Sequence, residues 1–306
     1  MSADNNRTLL IAFAANLGIA VSKFVAAAIT GSSAMLTEGV HSVVDSSNQL
    51  LLIWGRRQAK KPPDRFHPFG YGRELYFWSF VVAVLVFALG AGVSVYEGII
   101  HILHPEEAVS PLVAYVVLLI AFLLEGGSTM AAFREFKEAK GKLGWFEAVR
   151  RSKDPPAFIV LLENGAAMAG IAAAAIGLFL SQVTGNPFFD GAASVVIGII
   201  LGLTAFFLAV ESKALLIGES ADPQLVKGIA DLAAAQRGVT GVGDVLTVHS
   251  APEVVTVMMS VDFENALSAA DVERIVLHIE EEAHRCWPVV QRLFVRPQEG
   301  ARRTFL

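Results

Sequence analysis

Glu38-Gly39-Val40-His41-Ser42-Val43-Val44-Asp45-Ser46-Ser47-Asn48-Gln49 sets ionisable groups in the middle of a run that otherwise reads as membrane-spanning. On a helix, His41 and Asp45 lie on one face about one turn apart, so an imidazole nitrogen and a carboxylate oxygen can converge on a single cation. Glu38 and Asn48 extend the same stripe. An ionisable side chain at bilayer depth costs about 2.5–3.5 kcal/mol on insertion scales, so such a stripe must face protein or water. Its first reading is an ion path; a polar packing seam between helices is the alternative.

The rest of the chain supports the membrane reading. It has 306 residues, 54% hydrophobic and only 17% charged, with a mean hydropathy of +0.54, too apolar for an ordinary soluble protein. Six segments of roughly 20 residues or more, near 8–30, 34–54, 76–100, 111–133, 157–181 and 190–211, are long enough for a hydrocarbon core of about 30 Å. Basic residues gather in two connections: Arg56, Arg57, Lys60, Lys61, Arg65 and Arg73 after the second segment, and Arg134 to Lys153 after the fourth. The other three connections contain neither Lys nor Arg, so the positive-inside rule puts both termini in the cytoplasm. No small-residue cleavage site follows the first apolar run, which therefore reads as a retained helix, and the lack of a mitochondrial-type leader favours a bacterial inner membrane. The single Cys286 excludes an intramolecular disulfide framework. Net charge is −5, and from Glu211 onward there are 14 acidic and 9 basic residues, a balance that argues against a nucleic-acid partner.

Other polar groups interrupt the apolar segments. Lys23 lies on the outer half of the first and Glu38 on the outer half of the second, and an ion pair between them is the simplest way to lower the cost of both. That makes Glu38 structural, with metal ligation as the alternative. The loop from Lys60 to Glu74 is dense in Pro and Gly; its Asp64 and His67 are either a weaker cation site or turn caps. His101 and His104, beside Glu106 and Glu107, read as an incidental solvated cluster rather than a zinc site. Glu125 in the fourth segment has three open readings: proton relay, helix anchor or path lining. The stretch Arg134 to Pro156 is basic and partly amphipathic and reads as lying along the inner membrane surface. In the fifth segment Glu163 and Asn164 are adjacent, hence about 100 degrees apart around the helix, so one faces the stripe of the second segment while the other turns to a neighbour. Asp190 opens the sixth segment, where a helix N-terminus favours negative charge.

The pattern changes after residue 211. Residues 223–237 read as an amphipathic helix, 243–250 and 254–263 as strands turning at Pro252, 269–286 as a helix opened by Ser268, and 289–296 as a last strand. The predicted architecture is thus a six-helix all-α membrane bundle (1–211) followed by a small cytosolic α+β domain (212–306) of order α-β-β-α-β, with a role in dimerisation or regulation.

Six helices, internal termini, the His41-x-x-x-Asp45 pair, the loop His67-Pro68-Phe69-Gly70-Tyr71-Gly72-Arg73 and the small α+β tail together resemble the cation diffusion facilitator family over essentially the whole chain. The resemblance implies a homodimeric exporter of zinc or a similar divalent cation, driven by inward proton movement, with a ferredoxin-like cytosolic domain. It also implies a four-ligand site from two positions on the second helix and two on the fifth. His41 and Asp45 match the first pair; where the family commonly has His and Asp, this chain has Val160 and Asn164, with Glu163 as the stand-in. Asp64 and His67 match two positions of the family's loop site, but Tyr71 replaces its second histidine. Arg73 matches a basic position that pairs with an acid at the start of the cytosolic domain, for which Glu219 is the candidate. Arg296 and Pro297 stand where the family's cytosolic zinc ligands occur, and His249, His278 and His284 read as surface or packing histidines.

The expected activity is proton-coupled antiport of a divalent cation by alternating access, the cation held by His41, Asp45, Glu163 and Asn164. Zinc is the first expectation; an amide in place of imidazole and carboxylate raises the weight of manganese, iron or cobalt. The partners expected are a second copy of the chain, protons and the bilayer, with no prosthetic group. A non-transporting, metal-responsive membrane regulator is the alternative. Nothing resembles an enzyme's nucleophile with its base.

Overall fold

The structure, a computed structural model, describes residues 3–104, 111–141 and 143–300. The chain divides into two compact units, one of Met1–Arg57 with Phe77–Ser212, the other of Gln58–Tyr76 with Lys213–Leu306. The second unit therefore takes in the Pro- and Gly-rich loop as well as the tail, an association that follows from tertiary contact and has no local sequence signal.

The first unit is helical: α1 (Ala3–Thr30), α2 (Ser33–Ala59), α3 (Glu74–Leu85) running through a π-helical turn (Val86–Ala91) into α4 (Gly92–Leu103), α5 (Pro111–Lys140), a short α6 (Trp145–Arg151), α7 (Pro155–Thr184) and α8 (Phe188–Ile217). Among the described residues, four helical stretches are long and apolar enough to cross a membrane: Glu74–Leu103, Leu112–Glu138, Pro155–Thr184 and Phe188–Ile217. In α1 the part whose side chains are described is the apolar run Leu17–Thr30. The 27 residues of α2 rise about 40 Å, but their polar stripe keeps them below that standard of hydropathy.

Local chemistry fixes the ends of these helices. Pro155 and Pro156 occupy the first turn of α7, where a missing N–H costs nothing, and Gly185 ends it in the left-handed region at φ 66°. Small residues let α4 and α8 approach closely: a Cβ on Gly98 would stand 2.7 Å from the carbonyl of Gly191. The core between the helices is built of Ala26, Ala34, Ala174, Leu178, Ile197 and Leu201. Large apolar side chains such as Leu123, Ile176, Leu203 and Phe206 point outward, the arrangement of helices solvated by lipid. The basic end of α5 continues to Lys140, and Trp145 at the start of α6 folds back to stack on Phe133 at 4.6 Å, with Lys140 Nζ 5.0 Å above its ring.

In the second unit, α9 (Pro223–Ala234), β1 (Val239–Ala251), β2 (Val254–Phe263), α10 (Ala269–Cys286) and β3 (Val290–Pro297) follow in that order. The sheet order is β1-β2-β3. A hairpin turning at Pro252 makes β1 and β2 antiparallel, whereas the helical connection through α10 brings β3 back parallel to β2. Alternate residues Val255, Val257, Met259 and Val261 of β2 are buried with Ile229 and Ala233 of α9 and Ile279 and Ala283 of α10. Asp222 caps α9 by accepting from Gln224 N at 2.8 Å, and Ser268 with Asp271 forms a capping box on α10. The first strand begins at Val239, four residues before the 243 read from the pattern, because register shifts at Val239/Gly241 and Val242/Val245 absorb the glycines that mask its alternation.

Candidate cation site

The position of α2 is set at its N-terminus by a residue 158 positions away. Asp190 of α8 accepts from Ser32 Oγ at 2.7 Å, Ser33 N at 2.7 Å and Ala34 N at 3.3 Å, so it satisfies donors that the start of α2 leaves open. His101 Nε2 lies 3.7 Å from Asp190 Oδ2 and is buried, which corrects the reading of His101 as part of a solvated cluster. Glu106 and Glu107, the acids of that cluster, lie outside the described residues.

From that anchored end, Glu38, Ser42, Asp45 and Gln49 recur at i, i+4, i+7 and i+11 along one face of α2. Ser42, Asp45 and Gln49 form one wall of a cavity of about 50 Å³; Glu125 and Ser128 of α5 and Glu163 and Asn164 of α7 form the others. That volume holds a few waters or a partly hydrated ion, and is far below the ~300 Å³ or more of an organic-ligand pocket.

His41 Nε2 lies 3.4 Å from Asp45 Oδ2. His41 is buried, and neither of its ring nitrogens makes a hydrogen bond; Asp45 Oδ1 is likewise without one. The adjacent pair of α7 divides its attention. Glu163 turns to α2, where Asn48 Nδ2 donates to its Oε1 at 2.8 Å, and Asn164 turns to α5, donating to Ser128 Oγ at 3.2 Å. Asp45, Glu163 and Asn164 thus share the cavity wall, and Val160 lies on it too; His41 does not. Among the described residues, no three His, Cys, Asp or Glu side chains converge at metal-holding distance.

A second cluster adjoins this wall. Lys23 of α1 is fully buried, and its Nζ donates to Glu38 Oε2, Ser42 Oγ and Glu125 Oε1, each at 2.9 Å. Three helices are tied through one ammonium. The backbone of α7 closes over the far side, since a Cβ on Gly170 would run into Glu38 Oε1. Of the three readings open for Glu125, the structure shows it as both partner of Lys23 and wall of the cavity. Sequence reasoning passed over Ser42 and Ser128, whose only signal is a neutral hydroxyl at stripe spacing.

In the second unit, Asp64 works as a turn cap. Its Oδ1 accepts from Phe66 N and His67 N at 2.9 and 2.7 Å, and its Oδ2 from the Tyr71 hydroxyl at 2.7 Å. These bonds, the Tyr71 hydroxyl first and the His67 amide next, hold the Asp64 carboxyl below its ordinary range, and Asp64 pushes the Tyr71 phenol up. His67 Nδ1 is 3.5 Å from Asp64 Oδ1 and its ring packs on Tyr71 at 4.2 Å. The loop is seated on the sheet: Arg292 donates to Pro68 O at 3.3 Å and covers the Phe69 ring at 4.9 Å. A Cβ on Gly218, the residue before Glu219, would stand 3.4 Å from a terminal nitrogen of Arg73. Of the three tail histidines, His249 faces the Ala251 carbonyl at 3.3 Å and His284 the Glu280 carbonyl at 2.8 Å.

A bundle of apolar helices around a small acidic cavity, with a separate α+β unit, defines an integral membrane protein suited to handling cations. A family model described as the cation efflux transmembrane domain matches residues 9–217, and the chain belongs to that transporter family, the cation diffusion facilitators. It is similar to the mitochondrial proton-coupled zinc antiporters of Xenopus laevis, 36% identical over 245 residues covering 79% of this chain and 44% of the relative, and of Homo sapiens, 32% over 268 residues covering 85% and 47%. Metal tolerance protein C4 of Arabidopsis thaliana is 36% identical over 197 residues, 64% of this chain and 43% of the relative. The chain thus spans less than half the length of these relatives.

Proposed function

We propose that the protein exports a divalent cation, zinc first, in exchange for protons by alternating access, through a site whose ligands are His41, Asp45, Glu163 and Asn164. The observation that carries this is the pairing of a buried, non-hydrogen-bonded imidazole with a shared cavity: His41, whose Nε2 faces Asp45 at 3.4 Å, and Asp45, Glu163 and Asn164 around one ion-sized space. A modest turn of α7 against α2 would exchange the Asn48–Glu163 and Asn164–Ser128 hydrogen bonds for a shared cation. Ligand imidazole and carboxylate must lose their protons for metal to enter, so protons and metal compete for the same groups, which is sufficient for exchange across a proton gradient. The similar proteins that are zinc antiporters support zinc; the oxygen-rich donor set leaves manganese, iron or cobalt as competitors.

The same reading takes α1 and α2 as two further spans, giving six, with both termini on the side of the basic loops, as in a bacterial inner membrane, and with a cytosolic ferredoxin-like tail. Asp64 and His67 form at most a secondary loop site, since both Asp64 oxygens already accept hydrogen bonds. Arg73 and Glu219 tie that loop to the start of the tail domain. The protein acts as a homodimer.

Zinc-driven proton flux in proteoliposomes tests the site: Asp45→Ala should abolish it, and unchanged flux would exclude this cavity as the path. The non-transporting regulator keeps one supporting observation, the apolar Val160 at a ligand position; stoichiometric metal binding without flux in the parent protein would favour it.

A further inference from the structure

Beyond the four ligands above, we infer that Glu125 is a further cation ligand of this cavity, its two oxygens divided between the Lys23 ammonium and the divalent cation. The location rests on the transport-site reading; the evidence for Glu125 is separate.

An ammonium has three N–H donors, and those of Lys23 are used on Glu38, Ser42 and Glu125. Its charge is already matched by Glu38 at 2.9 Å, with both side chains fully buried. With Glu38 matching the charge, Glu125 is needed by Lys23 as an acceptor but is surplus to it in charge. Surplus acid inside a helical bundle is neutralised by a proton or by a cation, the same two species that compete for a metal site. Each carboxylate on Lys23 has a buried second oxygen without a hydrogen-bond partner, but Glu38 Oε1 is shut against α7 at Gly170, whereas Glu125 lines the cavity. Glu125 also stands on the cavity wall with Asp45 and Glu163, a wall whose ionisable groups are all carboxylates. Val160, on the same wall, is apolar and offers no donor. Glu125 adds from α5 a third carboxylate to the wall that Asp45 and Glu163 share.

Metal binding to the purified full chain reads this out independently of transport. In a Cys286→Ser background, Glu125→Gln should weaken zinc binding at least tenfold in titration calorimetry. Glu125→Cys, which puts a thiolate at the same point, should bind cadmium at least tenfold tighter than the size-matched Glu125→Ser does, because soft cations prefer sulfur. A residue that only ties α5 to Lys23 would change melting temperature without changing metal preference. Zinc affinity within twofold of the parent in Glu125→Gln, or equal cadmium affinity in the Cys and Ser variants, overturns the inference. If Glu125→Gln does not fold, the Cys and Ser pair decides. Flux lost in Asp45→Ala with zinc binding intact in Glu125→Gln removes this inference alone; zinc binding weakened in Glu125→Gln with flux intact in Asp45→Ala removes the transport-site reading and leaves this one standing.

Discussion

Tyr71 donates to Asp64 only while its phenol is protonated, and Asp64 accepts best as carboxylate, so their bond has a pH window. Asp64's folded pKa lies below its unfolded value, so its contribution is fully present above about 3.9 and is lost as acid carries it through the lowered folded pKa. Tyr71's is raised, so its contribution is full below about 10 and fades as pH rises through the folded pKa. Tyr71→Phe should therefore lower the melting temperature of the second unit slightly at pH 7, and the difference from the parent should vanish in acid below the Asp64 transition; a pH-independent difference would refute the link. Lys23 is the opposite case, a charge with no access to water. Lys23→Met leaves Glu38 and Glu125 without their cation and should destabilise by about 3–5 kcal/mol, with Glu38→Gln in the same chain restoring part of the loss. Thermal melts of the two variants in detergent measure both effects. The juxtaposition of His41 with Asp45 was legible because i,i+4 geometry is local. That Glu125 meets Lys23, 102 positions away, was not, since an acid in a helix carries no mark of its partner.

Helix against helix, α7 offers a matched comparison. A Cβ at Gly170 would run into Glu38 Oε1, which the Lys23 contact holds in place, while a Cβ at Gly165 meets nothing within 4 Å. Gly170→Ala should cost about 1–3 kcal/mol as an overpacked contact, and Gly165→Ala should be neutral or stabilise by up to about 1 kcal/mol, since Ala favours a helix interior. Equal melting temperatures for the two would mean that α7 is not packed on the Glu38 face of α2. The anchoring of α2 by Asp190 makes a related claim: Asp190→Ala strands the donors of Ser33 and Ala34 and should cost about 1–3 kcal/mol. The long helices and the elements of the tail were readable from apolar length and periodicity, whereas the short α6 and the π-helical turn Val86–Ala91 were not. The sequence reading placed Asp190 only at the start of its own helix, because the donors it satisfies belong to a different segment. The early start of β1 was hidden for a different reason, since Gly241 and Gly243 suppress the strand pattern just where bulges accommodate them.

For the molecule as a whole, the outer face of the sheet bears on assembly. One face of β2 is buried beneath α9 and α10. On the other, Thr256 pairs with Arg292, whose guanidinium meets Pro68 and Phe69, so the loop Gln58–Tyr76 covers that part. Two residues along, Leu246, Met258 and Phe294 lie side by side across the three strands by register, each roughly half exposed at 51%, 41% and 51%. A contiguous apolar row on an unpartnered sheet face is the kind of surface that a second copy of the chain would cover, which makes it our candidate for the dimer contact. Met258→Glu puts a charge at its centre without touching the core, and at an isologous contact the two introduced charges would oppose each other across the interface. The parent should run as a dimer by light scattering in detergent and the variant as a monomer at the same concentration, with an unchanged melting profile for the second unit; a monomeric parent would refute the homodimer reading. A dimer that persists would move the contact to the membrane helices, where outward Leu203 and Phe206 offer apolar surface that lipid or a second copy can equally solvate.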